Sequence, residues 1–394
     1  MIDTFLQTSF GVFLLALVFY DVYATILRAT KRPGPISEYL NRTLWWTATR
    51  ITKKLDRRWR HRVLTGIGPL MLPLLITLLI LFLVSGFALL YSSHLETDFK
   101  GGLNGGLGNW FEAIYFSGIT LLTVGFGDIV PLTTATRMLV LLEGASGITV
   151  ISLGVTYLLT VYSALERKRA VALSFYHQAG KGADVPGFIT LHFARGRFYD
   201  FTDTLKIATR DLQELLESHL EHPVIHYFHP LEVYKGLPRV IFVMLETITI
   251  LRSCLDAEEY VEAGEHPSVL LAESSVPFVL RELITSLQLE KKAGQEFETE
   301  KEEMVRRKRC FNRAQRKLSR AGIKLRTDRE AAFAEYSAIR EQWEAKLFWF
   351  AEFLGYDWDE LTGDRDLTDA TDDEVEERHD QIAAPRSSGN ENLA

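Results

Sequence analysis

The sequence predicts an all-α membrane protein whose second half is a helical cytosolic domain. Two observations predict this class. Residues 1–163 hold three apolar stretches long enough to cross a bilayer, and residues 164–394 are charge-rich with apolar positions at helical spacing. The averages over 394 residues, 47% hydrophobic and a net charge of −7, conceal that division.

The first stretch, Phe5–Leu27, covers the roughly 30 Å hydrocarbon core. Asp3 precedes it and no Lys or Arg does, so a retained helix is expected rather than a cleaved signal. The second stretch runs over 69–91 and the third over 137–162. Between them, the apolar run ahead of Thr123 is about a dozen residues, too short to cross, and reads as a re-entrant helix. The segment after the first span carries Arg28, Lys31, Arg32, Arg42, Arg50, Lys53, Lys54, Arg57, Arg58, Arg60 and Arg62, and the segment after the third opens Glu166-Arg167-Lys168-Arg169. The loop after the second span has only Lys100. Basic residues stay on the cytoplasmic side, so the N-terminus is expected outside, 28–68 inside, 92–135 outside and 164–394 inside.

Residues 123–128 read Thr-Val-Gly-Phe-Gly-Asp between two spans. Hydrocarbon tolerates irregular backbone only where protein buries it or it lines a cavity. A cation crossing the bilayer must exchange its water shell for equivalent oxygens, and backbone carbonyls are a neutral source at fixed angles. For successive carbonyls to line one side of a strand, some residues must take left-handed angles, which glycine does without steric cost. Gly125 and Gly127 alternate with Val124 and Phe126, whose side chains are expected to point away and pack on the supporting helix. Thr123 adds a hydroxyl at the cavity end, and Asp128 is expected at the outer mouth. The preceding helix, 110–122, has Asn109 as candidate N-cap with Glu112 three residues on, and aims its negative C-terminal end at the cavity.

This hexapeptide is similar to the selectivity filter of the two-helix potassium-channel pore family, with Phe126 where Tyr is more common. The resemblance extends to the pore helix, with Tyr115 and Phe116 as cuff aromatics, and to Ser-Gly-Ile-Thr at 146–149, covering about residues 69–162. It implies a pore fold of outer helix, re-entrant pore helix with filter, and inner helix, to which this chain adds one N-terminal membrane helix. It also implies passive K+ conduction, with K+ at the backbone carbonyls of Thr123, Val124, Gly125 and Phe126, without a cofactor or enzymatic activity. One signature per chain against four loops per filter implies a homotetramer. The expected setting is the plasma membrane, in contact with lipid and not with nucleic acid. Gly147 stands where the family has its hinge, while glycine in membrane helices also serves close packing; both readings stand open.

The division expected is a membrane helix at 1–28, a basic linker at 29–68, a pore domain at 69–163, a cytosolic helical domain at 164–355 and an acidic, disordered tail at 356–394. Within the linker, 37–62 reads as an amphipathic interfacial helix with Leu40, Leu44, Trp45, Ile51 and Leu55 toward lipid or protein; charges serving only topology are the alternative. Glu143 and Asp21 are acids inside spans and therefore face protein or water. Glu143, a support candidate, is placed to reach the pore helix near Thr120, and Asp21 has Thr25 one turn on. Structural hydrogen bonding is the first reading for both, proton or ion sensing the second. The glycine-rich run 101–108 reads as a turret linker. His219, His222, His226 and His229 form a run that metal binding or pH sensing would use, although Pro223 interrupts any shared face.

Beyond 164, residues 238–255 are apolar enough to tempt a fourth span, but Glu246 inside them fits a buried core helix. Residues 286–321 read as a charged helix with Phe297, Met304, Phe311 and Leu318 one per heptad, ended by Gly322. A second, amphipathic helix comes next, with Phe333, Tyr336, Ile339, Trp343, Leu347, Phe350 and Leu354 on one face, and the two are expected to pair. Cys254 and Cys310 lack metal or redox spacing and read as reduced thiols. No strand–GxGxxG–helix unit, strand-rich block or arginine-repeat helix is legible, so the stimulus stays unassigned. The rivals are a nonselective cation channel and a non-conducting tetrameric sensor or scaffold; an uptake transporter with four degenerate pore loops in one chain is disfavoured by the single signature.

Overall fold

A computed structural model describes residues 2–28, 32–101, 108–179, 183–295 and 299–363. Its described residues are overwhelmingly helical, and three helices are long and apolar enough to cross a membrane, at Thr4–Leu27, Arg57–Ser92 and Thr134–Gln178. The chain is an all-α membrane protein. Helix α1 (Ile2–Val22) closes with a π-helical turn at Tyr23–Leu27. Helix α2 (Pro35–Thr52) lies across its foot, and α3 (Arg57–Ser92) returns through the membrane. The expected interfacial helix over 37–62 is therefore broken at 53–56, and its last residues belong to α3. Of its apolar positions Trp45 is buried against Tyr227, with ring centroids 5.5 Å apart, whereas Ile51 and Leu55 are exposed.

Asp21 explains why α2 starts where it does. Its Oδ1 accepts the backbone N–H of Ile36 at 2.7 Å and of Ser37 at 3.1 Å, replacing the side-chain cap that Gly34 cannot supply. Thr25, the partner expected from sequence, is a distant 3.5 Å from Asp21 and instead reaches Ser37 at 3.1 Å. The acid of the first span serves the next helix.

After α3, a short turn α4 (Leu95–Asp98) leads into β1 (Phe99–Gly101), which pairs antiparallel with β2 (Ile129–Pro131), Lys100 opposite Val130. Most of the glycine-rich turret, 102–107, lies outside the described residues. Between the strands sit α5 (Gly108–Leu121) and the hexapeptide. Helix α6 (Thr134–Gln178) has 45 residues, roughly 65–70 Å, and continues past the expected boundary at 163 into the C-terminal half without a break.

The C-terminal half is built around α9 (Leu237–Cys254), nearly every side chain of which is buried, as the core-helix reading required. Ahead of it come α7 (Val185–Leu191) and α8 (Phe201–Glu221), and after it α10 (Val261–Glu265), α11 (Pro267–Ser286) and α12 (Glu290–Ala293). The charged helix expected over 286–321 is shorter: α13 (Glu300–Arg320) opens on a Thr299–Glu302 capping box, and Phe297 lies outside the described residues. The single amphipathic helix expected next is two, α14 (Arg329–Glu341) and α15 (Glu344–Phe353). Phe311 of α13 packs 5.3 Å from both Phe333 and Tyr336, so the pairing exists. Glu246, in the middle of α9, accepts from Tyr336 and lies 3.0 Å from Arg340, while Glu344 takes Arg307 at 2.8 Å and Arg306 at 3.1 Å. Cys254 and Cys310 are buried and unbridged.

Order extends beyond the expected end at 355. Tyr356 and Leu361 are buried, and α16 (Trp358–Thr362) together with its N-cap Asp357 carries the acids that clasp the foot of α3. Arg57 meets Glu360 at 2.5 Å, Arg60 meets Asp357 at 2.6 Å, and Nδ1 of His61 lies 2.7 Å from Nε2 of His229. His229 uses its Nδ1 toward the Leu354 carbonyl at 3.0 Å, and Trp45 donates to the Phe353 carbonyl at 2.9 Å. Residues 364–394 of the expected acidic tail lie outside the described residues.

This junction makes stability depend on pH in a stated direction. Burial, then the neighbouring His61 charge, pushes His229 from its ordinary 6.5 down to about 3. Burial opposes the charge of Glu360, but His61 and then Arg57 outweigh it and hold the carboxyl at about 2 against an ordinary 4.5. Both native values are depressed, so the unfolded chain binds more protons in acid. The His229 contribution is complete above 6.5 and is lost as pH falls toward 3, at roughly 1.4 kcal/mol per pH unit. Glu360 adds to the loss only below 4.5. Thermal melts of the detergent-purified protein are expected to fall as pH drops from neutrality through 6.5 toward 4.5. His229→Leu should flatten that part of the curve, and an unchanged slope would place the proton uptake elsewhere.

Candidate functional site

The end of α5 sets the path of the hexapeptide. The N–H groups of Leu122 and Thr123 bond back to the carbonyls of Gly118 at 3.1 Å and Thr120 at 3.0 Å. Those of Val124 and Gly125 share the Ile119 carbonyl, at 2.8 and 3.2 Å. The helix C-terminus is thereby consumed by its own continuation, and its negative end faces the hexapeptide. The helix starts at Gly108, so the N-cap expected at Asn109 falls inside it.

Along the hexapeptide every second residue takes a left-handed backbone. Thr123 has φ 59°, Gly125 58° and Gly127 80°, while Val124 and Phe126 between them do not. Left-handed angles at alternate residues are what successive carbonyls need in order to line one side of a strand. Among the described residues no donor reaches the carbonyls of Thr123–Gly127. The two glycines adopt these angles freely. Thr123 does not: a β-branched residue there costs roughly 1–2 kcal/mol, strain that the sequence reading missed because Thr carries no such signal.

Val124 and Phe126 depart from expectation. Within their own chain they stand 51% and 70% exposed, with Leu122 uncovered beside them, so the supporting helix leaves most of their surface bare. Tyr115 and Phe116, paired in the sequence reading, separate as neighbours on a helix must. The Tyr115 hydroxyl donates to Oδ2 of Asp128 at 2.8 Å, bracing the far end of the hexapeptide. Phe116 is buried instead, edge-on to Tyr91 at 5.2 Å and Phe99 at 5.1 Å.

Glu143 is fully buried, but its partners are Tyr91, whose hydroxyl donates to Oε2 at 2.8 Å, and Ser117, one turn earlier than the expected Thr120. Neither partner was read from sequence; the requirement that an acid inside a span find donors was the available signal. Gly147, one turn on, faces the end of α5: a Cβ there would lie 2.5 Å from the Leu121 carbonyl oxygen, and α6 is continuous through this position. The histidines disperse. His229 joins His61, His222 packs on Tyr157, and His219 and His226 lie with ring centroids 4.8 Å apart. Burial pushes His226 down to about 3, and among the described residues no three metal-ligating side chains converge.

Comparison with known proteins places residues 76–164 in a family model described as ion channel. The uncharacterized membrane protein YdjJ of Bacillus subtilis (strain 168) is 30% identical over 248 residues, which cover 61% of this chain and 68% of that relative. The likeness is longer than the ion-channel segment and so extends beyond it. No solved structure matches the chain.

The contact at Gly147 yields a measurable expectation. Backbone cannot give way to a methyl group, so Gly147→Ala should cost roughly 1–3 kcal/mol by forcing α5 and α6 apart. Gly66, with open space around it in α3, is the control, and Gly66→Ala should be neutral or slightly stabilising. Melting curves in detergent compare the two; equal curves would mean that α5 does not rest on Gly147.

Proposed function

The chain belongs to the ion-channel pore family, and on that premise we propose that it is a potassium-selective channel, conducting passively through a pore that four copies build together. The observation that carries the reading is the backbone alternation at Thr123, Gly125 and Gly127 with unengaged carbonyls between two apolar helices. Carbonyls at fixed spacing replace the water shell of a cation that fits them, and the negative end of α5 adds to the attraction.

One chain supplies one quarter of such a ring. The apolar side chains of Leu122, Val124 and Phe126, left bare by their own chain, find cover when identical copies close around an axis. Charge distribution supports the N-terminus outside and the helical half in the cytosol of a plasma-membrane protein. Asp128, held by Tyr115, then lies at the extracellular mouth.

Rubidium and sodium flux into liposomes holding the purified protein tests this. We expect rubidium and potassium to pass and sodium to be excluded; equal passage would make the pore nonselective, and no passage would leave a membrane anchor. Gly125→Ala burdens a left-handed position with a side chain, about 1–2 kcal/mol per copy, and should abolish flux while the detergent-solubilised protein still runs as a tetramer. Thr123→Ala removes the hydroxyl and the γ-methyl but leaves the backbone carbonyl in place, and should be milder. Full flux through Gly125→Ala would move the ion path away from these carbonyls.

A further inference from the structure

Behind the hexapeptide, on the side facing away from the uncovered surface, three side chains meet where α3, α5 and α6 converge. Tyr91, Ser117 and Glu143 are all buried. Tyr91 donates to Oε2 of Glu143, Oε1 of Glu143 faces the Ser117 hydroxyl, and that hydroxyl also lies 3.0 Å from the Val84 carbonyl oxygen. A serine hydroxyl has one proton to give. The chain of bonds is complete when residue 143 accepts from Tyr91 and donates to Ser117, leaving Ser117 to donate to Val84; a carboxylic acid or a carboxamide presents that pair.

The place of this hydrogen-bonded chain in the fold gives it leverage. Ser117 sits one turn before the end of α5, whose last carbonyls hold Thr123, Val124 and Gly125. The Tyr91 ring packs edge-on to Phe116 of α5 and to Phe99, the residue paired with Pro131 in the ribbon beyond the hexapeptide. One hydrogen-bonded unit thus grips both ends of the strand that carries the free carbonyls. A buried polar group left without its partner is costly, so the three rise or fall together.

We infer that Tyr91, Glu143 and Ser117 are positioning residues of the filter, tying the pore helix to both flanking spans so that discrimination between potassium and sodium depends on them although none reaches the ion path. This rests on the proposed channel function. An apolar residue at 143 removes both bonds at nearly constant volume, and Gln restores both.

The test pairs flux with hydrogen exchange, which reads the anchoring without any ion. In Glu143→Leu the potassium-to-sodium flux ratio should fall roughly tenfold, the weight of one or two neutral hydrogen bonds. Amides 117–125 should exchange faster while those of α9 keep their rates. Glu143→Gln should match wild type in both. Tyr91→Phe keeps the ring and should move both readouts in the same direction as Glu143→Leu, which covers the case in which the leucine variant fails to assemble. Wild-type exchange and ratio in Glu143→Leu, or a glutamine variant as impaired as the leucine one, would overturn the assignment. A wild-type protein that does not discriminate would overturn the channel reading instead, and the exchange contrast between Gln and Leu would still decide the anchor.

Discussion

The carbonyls of Thr123–Gly127 are the constraint around which the membrane half is arranged. Bare backbone is not tolerated against lipid, so a strand that leaves its acceptors unused must be held rigidly and shielded. The chain supplies the holding from behind. The end of α5 captures the first N–H groups, Tyr115 fixes Asp128 at the far end, and the β1–β2 ribbon returns the chain to α6. Shielding on the open side is what one copy lacks, and the proposed ring of copies provides it.

The C-terminal half is joined to the spans at two places. Helix α6 enters it directly, and α3 is grasped at its foot by residues 357–360 and by His229, through Arg57–Glu360, Arg60–Asp357 and the His61–His229 contact. Displacement of the C-terminal core therefore bears on α3 as well as on α6. The core itself is pinned at Glu246 and Glu344 by arginines of α13 and α14, where losing one partner would strand a buried charge.

The spans, the re-entrant helix and the hexapeptide were legible because each is a local property of the chain: apolar length, charge bias and two glycines at fixed spacing. The core helix at 237–254 was legible for the same reason, since Glu246 interrupts an otherwise apolar run. Where local reading failed, a distant partner had decided. Trp45 turns inward because Tyr227 and the Phe353 carbonyl are there, and the acids after 355 are ordered because Arg57 and Arg60 await them. Asp21 was visible as a buried acid, but its duty as a cap for α2 was not, because its partners come from the next loop.

By itself the sequence determined that the chain crosses a membrane with three helices, and that a glycine-punctuated strand comes after a helix too short to cross. Hydrocarbon thickness and the steric freedom of glycine act on consecutive residues, so order along the chain is enough to read them. Tertiary structure alone decided that Thr123 shares the left-handed backbone, that Tyr115 reaches Asp128 while Phe116 packs on Tyr91, and that Glu143 reaches Tyr91 and Ser117. Those are contacts between residues as much as 52 positions apart, and their energies depend on distance in space, which spacing along a chain does not encode.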